Sequence, residues 1–161
     1  MIENRLVVLD NTVLTNFALA ECADLVMKLW GDALRTTPKV MAEHRRGVKK
    51  GSVPSEAWPG LAVVELRHDE IHIYQNLPFN LDPGERSCLA VVLCRGGILA
   101  TDDLYARKAA VLRGVAVTGT VGILIGCIKR GLIDLTEGNR LLAAMIGHSY
   151  HSPTDRLDDF L

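Results

Sequence analysis

The sequence predicts an α/β chain, a three-layer α/β/α sandwich built on a central parallel sheet of about four to five strands. Three observations lead there. Short, wholly apolar runs such as Leu6-Val7-Val8-Leu9 and Ile98-Leu99-Ala100 have the composition of strands buried on both faces. These runs alternate with longer stretches carrying helix start and stop signals, which implies a parallel sheet covered on both sides. Acidic residues follow directly on two of the strands, Asp10 on the first and Asp102-Asp103 on the other. In open sheets of this kind ligands bind beyond the carboxyl ends of the strands.

Taken in order, Leu6 to Leu9 is the first predicted strand. Asn11 and Thr12 are good N-cap types for a helix running to about Glu21, with Val13, Phe17 and Ala20 on one stripe. A second short helix is expected over Ala23 to Trp30, and a strand over Leu34 to Thr37. Thr37-Pro38 starts the next helix, with proline at its first position, and Gly47 is expected to stop it. Residues 47–60 hold Gly, Pro and Lys and read as a loop. Residues 61–75 alternate in patches (Val63, Leu66; Ile71, Ile73) and read as one strand or two. Asp82-Pro83-Gly84-Glu85 begins a helix that runs to Cys94 and ends at Gly96-Gly97. Then follow a strand at Ile98–Thr101, a helix at Leu104–Leu112, a strand at Val115–Thr118 and a helix at Thr120–Arg130. Lys129 and Arg130 suit the negative end of that last helix. Thr136 is read as the cap of a helix to Ile146, and a short helix closes the chain from Pro153 to Phe160.

The 161 residues suit one compact domain spanning 1–161, its C-terminal helices beginning near 136. Hydrophobic residues make up 48% and aromatics only 5%, so the core must be mostly Leu, Val, Ile and Ala. A formal net charge of −1 argues against a strongly basic nucleic-acid binder while leaving room for a local basic patch. Cys22, Cys88, Cys94 and Cys127 form no C-x-x-C pair and read as small hydrophobes in a reducing, cytoplasmic setting. The five histidines show no zinc-ligand spacing with them. Met1-Ile2-Glu3-Asn4-Arg5 lacks a signal-peptide pattern. The apolar stretch Val115–Ile128 is too short for a bilayer span of ~20 residues.

Five carboxylates are the candidate site: Asp10, Glu43, Glu85, Asp102 and Asp103. Crowded acids raise one another's pKa, and such a cluster makes chemical sense around a divalent cation. Oxygen-only ligands select Mg²⁺ or Mn²⁺, which points to phosphate chemistry. Each acid also has a local reading. Asp10 could cap its helix, but Asn11 and Thr12 already suit that task. Asp82 and Glu85 fit a capping box, yet Glu85 shares an inward stripe with Cys88, Leu89 and Val92. Glu43 could pair with Arg45 or Arg46. One of Asp102 and Asp103 is accounted for as a cap. Thr12, Asn16 and Thr120 are placed to hydrogen-bond the acids. Arg45, Arg46, Lys49 and Lys50, with Arg107, are either a solvated face or contacts for phosphate beside the acids. Gly119-Thr120-Val121-Gly122 lacks both the G-x-G-x-x-G spacing and the P-loop lysine, so an ATP or dinucleotide site is not expected.

In this order the acids resemble those of the PIN-domain family of metal-dependent ribonucleases. Asp10-Asn11-Thr12-Val13-Leu14-Thr15-Asn16 looks like the family's opening motif, and Pro38-Lys39-Val40-Met41-Ala42-Glu43 like its second. Gly84-Glu85-Arg86-Ser87-Cys88-Leu89-Ala90 resembles the helix start of one prokaryotic branch. Thr101-Asp102-Asp103 with Arg107, Val117 to Gly122, and the tail from His148 to Leu161 are similar to that same branch. Asn11 stands where Thr or Ser is usual, and Glu85 where many members have Asp. The Thr-x-Asp pattern favours Asp103 as the family's last acid, and strand-end position favours Asp102.

The resemblance implies a parallel α/β/α sandwich and Mg²⁺- or Mn²⁺-dependent cleavage of RNA. Asp10, Glu85, Asp102 and Asp103 would be the metal ligands, and Glu43 a further catalytic acid. It also implies an antitoxin protein as partner, since many members are toxins of type II toxin–antitoxin pairs, and a homodimer. Two alternatives stay open: an RNA-processing nuclease that is not a toxin, and a catalytically degraded scaffold that binds a partner. A haloacid-dehalogenase-type phosphatase needs a second aspartate two residues after the first, and Thr12 stands there.

Overall fold

A five-stranded, all-parallel sheet lies at the centre of the chain in a computed structural model that describes residues 5–161. Most of the N-terminal stretch read for a leader, Met1–Asn4, lies outside the described residues. The strands are β1 (Val7–Leu9), β2 (Leu34–Thr36), β3 (Ala62–Val63), β4 (Ile98–Ala100) and β5 (Ala116–Thr118), in spatial order β3-β2-β1-β4-β5. Among the described residues eight α-helices surround them: α1 (Asn11–Leu19), α2 (Ala23–Trp30), α3 (Pro38–Lys49), α4 (His68–Asn76), α5 (Pro83–Arg95), α6 (Leu104–Leu112), α7 (Thr120–Lys129) and α8 (Leu135–Gly147).

Side chains alternate between faces along a strand. Val7, Val8 and Leu9 are all at most 1% exposed, so both faces of β1 are covered. Helix α5 packs on β1 and β4 and touches α3, α4 and α6, while α1, α2, α7 and α8 pack with one another. The result is the three-layer α/β/α arrangement that the alternating sequence predicted.

The strand order places the functional edge. From β1 the chain moves outward through β2 to β3, then crosses back to β4 and continues to β5 on the other side. The order therefore reverses between β1 and β4, the crevice where such sheets hold ligands. Register aligns the two strands end to end: Leu9 pairs with Ala100, and the amide of Asp10 donates to the Ala100 carbonyl at 2.9 Å. Asp10 and Thr101 are thus neighbours at the switch point.

Several local expectations need correction. Residues 61–75 hold one strand rather than two, and it is only Ala62–Val63; the helix α4 takes up the rest from His68. The residue that α4 buries is Glu70, 0% exposed, so its inward face carries a charge and the hydrophobic pattern misleads. Glu70 accepts two hydrogen bonds from Arg95 (2.7 and 2.8 Å) and one from the Arg67 amide (2.7 Å). Asn11 and Thr12 are not the caps of α1; Asp10 is, accepting from the Asn11 amide at 2.7 Å. Gly47 does not stop α3, which runs to Lys49; a Cβ at Gly47 would lie 3.1 Å from Val53, so this glycine serves close packing. Asp134, not Thr136, caps α8 by accepting from the Glu137 amide. Residues 153–160 hold no α-helix, only a 3₁₀ turn at Asp158–Phe160. Thr154 donates to the Arg156 carbonyl there, a local bond that competes with helix formation. The buried Leu157 is anchored by its amide donating to Asn139 (2.8 Å).

Candidate active site

The candidate acids stand on different elements: Asp10 after β1, Glu43 on α3, Glu85 at the start of α5, and Asp102 and Asp103 between β4 and α6. Asp10 follows β1 and is 2% exposed. Its two carboxylate oxygens accept from the Asn11 amide (2.7 Å) and the Thr101 hydroxyl (2.7 Å). Burial, opposed by those two bonds and reinforced by Asp82 and Glu43, pushes its pKa from 3.8 up to about 7. Glu85 opens α5 and is 6% exposed. It completes the capping box: the Glu85 amide donates to Asp82 (2.7 Å), and the Asp82 amide donates back to the Glu85 carboxylate (2.9 Å). The local reading of Glu85 as the partner in a capping box is therefore met, and its carboxylate stays inward. Burial, with Asp82, Asp10 and Asp103 nearby, carries its pKa up to about 8. Glu43, half-buried on α3, is raised by burial and by Asp82, with Arg46 opposing. A Cβ on Gly84 would lie 3.1 Å from Glu43 and 3.4 Å from Asp82, so a residue without a side chain lets α3 and the start of α5 approach.

Asp103 caps α6, accepting from the Ala106 amide (2.9 Å), while its own amide donates to the Thr101 hydroxyl (3.2 Å). Asp102 is held differently. One oxygen accepts from the Thr120 amide (2.8 Å) and the Tyr150 hydroxyl (3.3 Å). The other accepts from the Thr120 hydroxyl (2.5 Å) and the Asn16 amide (3.2 Å). Four donors fill the roughly four lone-pair positions of a carboxylate. Gly119 makes this possible, since a Cβ there would come 2.5 Å from Asp102 and 2.9 Å from Arg107.

All three supporting residues join this network. Thr12 accepts from the Asp102 amide (3.0 Å), and its hydroxyl lies 3.5 Å from that of Thr101. Asn16 donates to Thr120 (3.1 Å) as well as to Asp102. Neither Thr101, quoted only as part of the Thr-x-Asp motif, nor Tyr150 is given a site role by the sequence. Thr101 had a signal, as the last polar residue before the acid pair; Tyr150 sits in an irregular tail and had none. Beside this network Asn11, Thr15, Leu104, Tyr105, His148 and His151 line a cleft of about 520 Å³.

None of the five acids has a salt-bridge partner among the described residues. Among the described residues no three Asp, Glu, His or Cys side chains are drawn tightly enough together to enclose an ion. An all-oxygen set of carboxylates is the donor chemistry of Mg²⁺ or Mn²⁺, which keep several waters and are held through one or two carboxylates. Asp10 and Glu85, their pKa values raised by burial and by neighbouring acids, would ionise more readily beside a cation.

Arg45, Arg46 and Lys49 are exposed on the second half of α3 and line a cleft of about 930 Å³ with Trp58 and Pro59, and Lys50, also exposed, follows at the helix end. Arg107 turns inward, donating to the Thr101 carbonyl (3.0 Å).

The family model described as DUF3368, a PIN domain, matches residues 6–161. The chain belongs to the PIN-domain family. No curated protein and no solved structure shows a significant match. PIN domains are in general nucleases that use divalent metals, so this PIN domain belongs to a family of hydrolases acting on nucleic acid. Among the described residues no helix is long and apolar enough to cross a membrane.

Proposed function

We propose that this PIN domain, residues 1–161 as one unit, is a Mg²⁺- or Mn²⁺-dependent endoribonuclease that hydrolyses RNA phosphodiester bonds. What supports the reading is that Asp10 lies at the carboxyl end of β1 beside the switch point, that Glu43 acts on Asp10 and both Asp10 and Asp103 act on Glu85 electrostatically, and that none of these acids has a salt-bridge partner among the described residues. Asp10, Glu85 and Asp103 would hold the cation, one or two of them directly and the rest through water. Asp102, filled by its own donors, is read as the residue that fixes α7 and the tail at the end of β4, and Glu43 as an acid acting through water. When bound, the cation supplies a water of lowered pKa and neutralises charge at the phosphoryl oxygens. Thr101 orients the Asp10 carboxylate, and Asn16, Thr12 and Thr120 keep Asp102 in place. Arg45, Arg46, Lys49, Lys50 and Arg107 are the candidate phosphate contacts. No side chain acts as nucleophile.

Incubation of purified protein with single-stranded RNA and Mg²⁺ or Mn²⁺ tests this. Cleavage is expected, and it is expected to fall by orders of magnitude in Asp10→Asn. Wild-type turnover by that variant overturns the assignment. The toxin role, its antitoxin and the homodimer rest on the family resemblance. Growth arrest on induction, relieved by the product of an adjacent gene, supports the first two, and light scattering reads the third. The free cysteines, three of them buried, suit a reducing cytoplasm.

A further inference from the structure

The loop between α4 and α5 presents a phenylalanine to solvent. Phe79 is 87% exposed, although Leu77 and Leu81 on either side are buried at 5% and 2%. The loop thus holds fast at both ends and projects one aromatic ring between them. That ring is backed by cations. The Arg86 guanidinium centre lies 5.6 Å from the Phe79 centroid and 4.7 Å from that of Tyr74. Lys39 Nζ lies 5.2 Å from the same Tyr74 ring. Among the described residues neither Arg86 nor Lys39 has a salt-bridge partner, and Arg86 Nε is buried with no hydrogen bond. Arg86 is therefore held by ring faces, and its charge is not consumed by an acid.

This patch adjoins two of the acids. Arg86 directly follows Glu85 on α5, and Lys39 stands one helical turn before Glu43 on α3. A polyanion approaching Glu43, Asp82 and Glu85 meets repulsion unless cations border them. An exposed π-face beside unpaired cations is the arrangement that receives unpaired nucleotides: the base stacks on the ring, and the cations meet its phosphate.

We propose that Phe79, with Arg86 and Tyr74 behind it and Lys39 beside them, is a stacking subsite for one unpaired base of single-stranded RNA next to the cleaved phosphate. The ligand class rests on the nuclease reading above; the placement rests on the rings and cations. The subsite is sequence-tolerant, because every base offers a π-face.

The test is fluorescence anisotropy of a short 5′-fluorescein single-stranded RNA in EDTA, alongside cleavage kinetics with Mn²⁺. Phe79→Ala is expected to weaken binding about 5- to 150-fold and to raise KM more than it lowers kcat. Phe79→Trp is expected to retain affinity, and Phe79→Leu to behave like Phe79→Ala, which separates stacking from plain apolar contact. The ring is exposed, so thermal unfolding should be unchanged in all three. If the unaltered protein binds and cleaves RNA while Phe79→Ala or Phe79→Leu does so equally well, the subsite is refuted and the nuclease reading survives. If the unaltered protein neither binds nor cleaves RNA, both fall.

Discussion

Replacing Asp10 with asparagine should make the metal-free protein more stable while removing its activity. The carboxyl is 2% exposed and its pKa rises from 3.8 to about 7 on folding, chiefly by burial. A raised folded pKa means that folding favours the protonated form. The stabilising contribution is complete below the unfolded value of 3.8, and it is lost as pH climbs through about 7. Above that point the folded protein carries a penalty of about 4 kcal/mol, at ~1.4 kcal/mol per pKa step. Asparagine has the shape of the neutral acid and cannot ionise. Its altered bonds to the Asn11 amide and Thr101 hydroxyl cost about 1 kcal/mol. The net gain at pH 8 is therefore about 3 kcal/mol, or roughly 6–12 °C in Tm for a chain of this size.

Urea unfolding in EDTA at pH 5 and pH 8 measures this. The variant's advantage should grow by about 3 kcal/mol between the two, because at pH 5 the unfolded acid has ionised and the folded one has not. Adding Mn²⁺ at pH 8 should erase most of the variant's advantage at a hundred times Kd and reverse the ranking at a thousand times Kd, where the gain is about 4.1 kcal/mol. A ligand at a hundred times its Kd stabilises the unaltered protein by about 2.7 kcal/mol, and the variant should lose most of that. A variant less stable than the parent at pH 8, an advantage independent of pH, or equal stabilisation of both by Mn²⁺ would each refute the reasoning.

Gly119→Ala drives a methyl group to 2.5 Å from Asp102, so it should lower RNA cleavage tenfold or more at a stability cost of about 1–3 kcal/mol, read by kinetics and thermal melts. Glu70→Gln breaks the buried pair with Arg95 and should cost about 3 kcal/mol in urea unfolding at neutral pH. Arg95 holds the Glu70 carboxyl below its ordinary 4.5, so that loss should be present above pH 4.5 and shrink as pH falls below it. Replacing Arg45, Arg46, Lys49 and Lys50 together by alanine should raise KM for RNA and reduce the slope of log KM against log salt by about 0.7 for each phosphate no longer neutralised.

Strand and helix alternation was legible because it is written locally, in apolar runs such as Val7-Val8-Leu9 and in caps such as Asp82. The strand-end acids were legible for the same reason, since a strand end is a local feature and the layout of a parallel sheet brings such ends together. Helix α4 was not. Its buried residue is a glutamate whose partner lies 25 positions away, so no window of sequence discloses why the charge faces inward. The network that orients the acids was equally hidden. Thr101 reaches Asp10 across 91 positions, and Tyr150 reaches Asp102 across 48.

The choice between Asp102 and Asp103 is where the geometry adds most to the motif. Strand-end position favoured Asp102, and the Thr-x-Asp pattern favoured Asp103. Lone pairs separate them. Asp102 accepts from two donors on each oxygen, which leaves no position for a cation unless one donor withdraws. Asp103 accepts at only one oxygen and adds to the negative field at Glu85. Asp103→Asn should therefore abolish Mn²⁺ stabilisation and cleavage while leaving metal-free unfolding nearly unchanged. Asp102→Asn turns an amide toward two of its donors and should lower metal-free stability by about 1–3 kcal/mol, with Mn²⁺ stabilisation largely kept. Mn²⁺ titrations followed by thermal unfolding distinguish the two, and a reversed pattern would make Asp102 the ligand and Asp103 no more than the cap of α6.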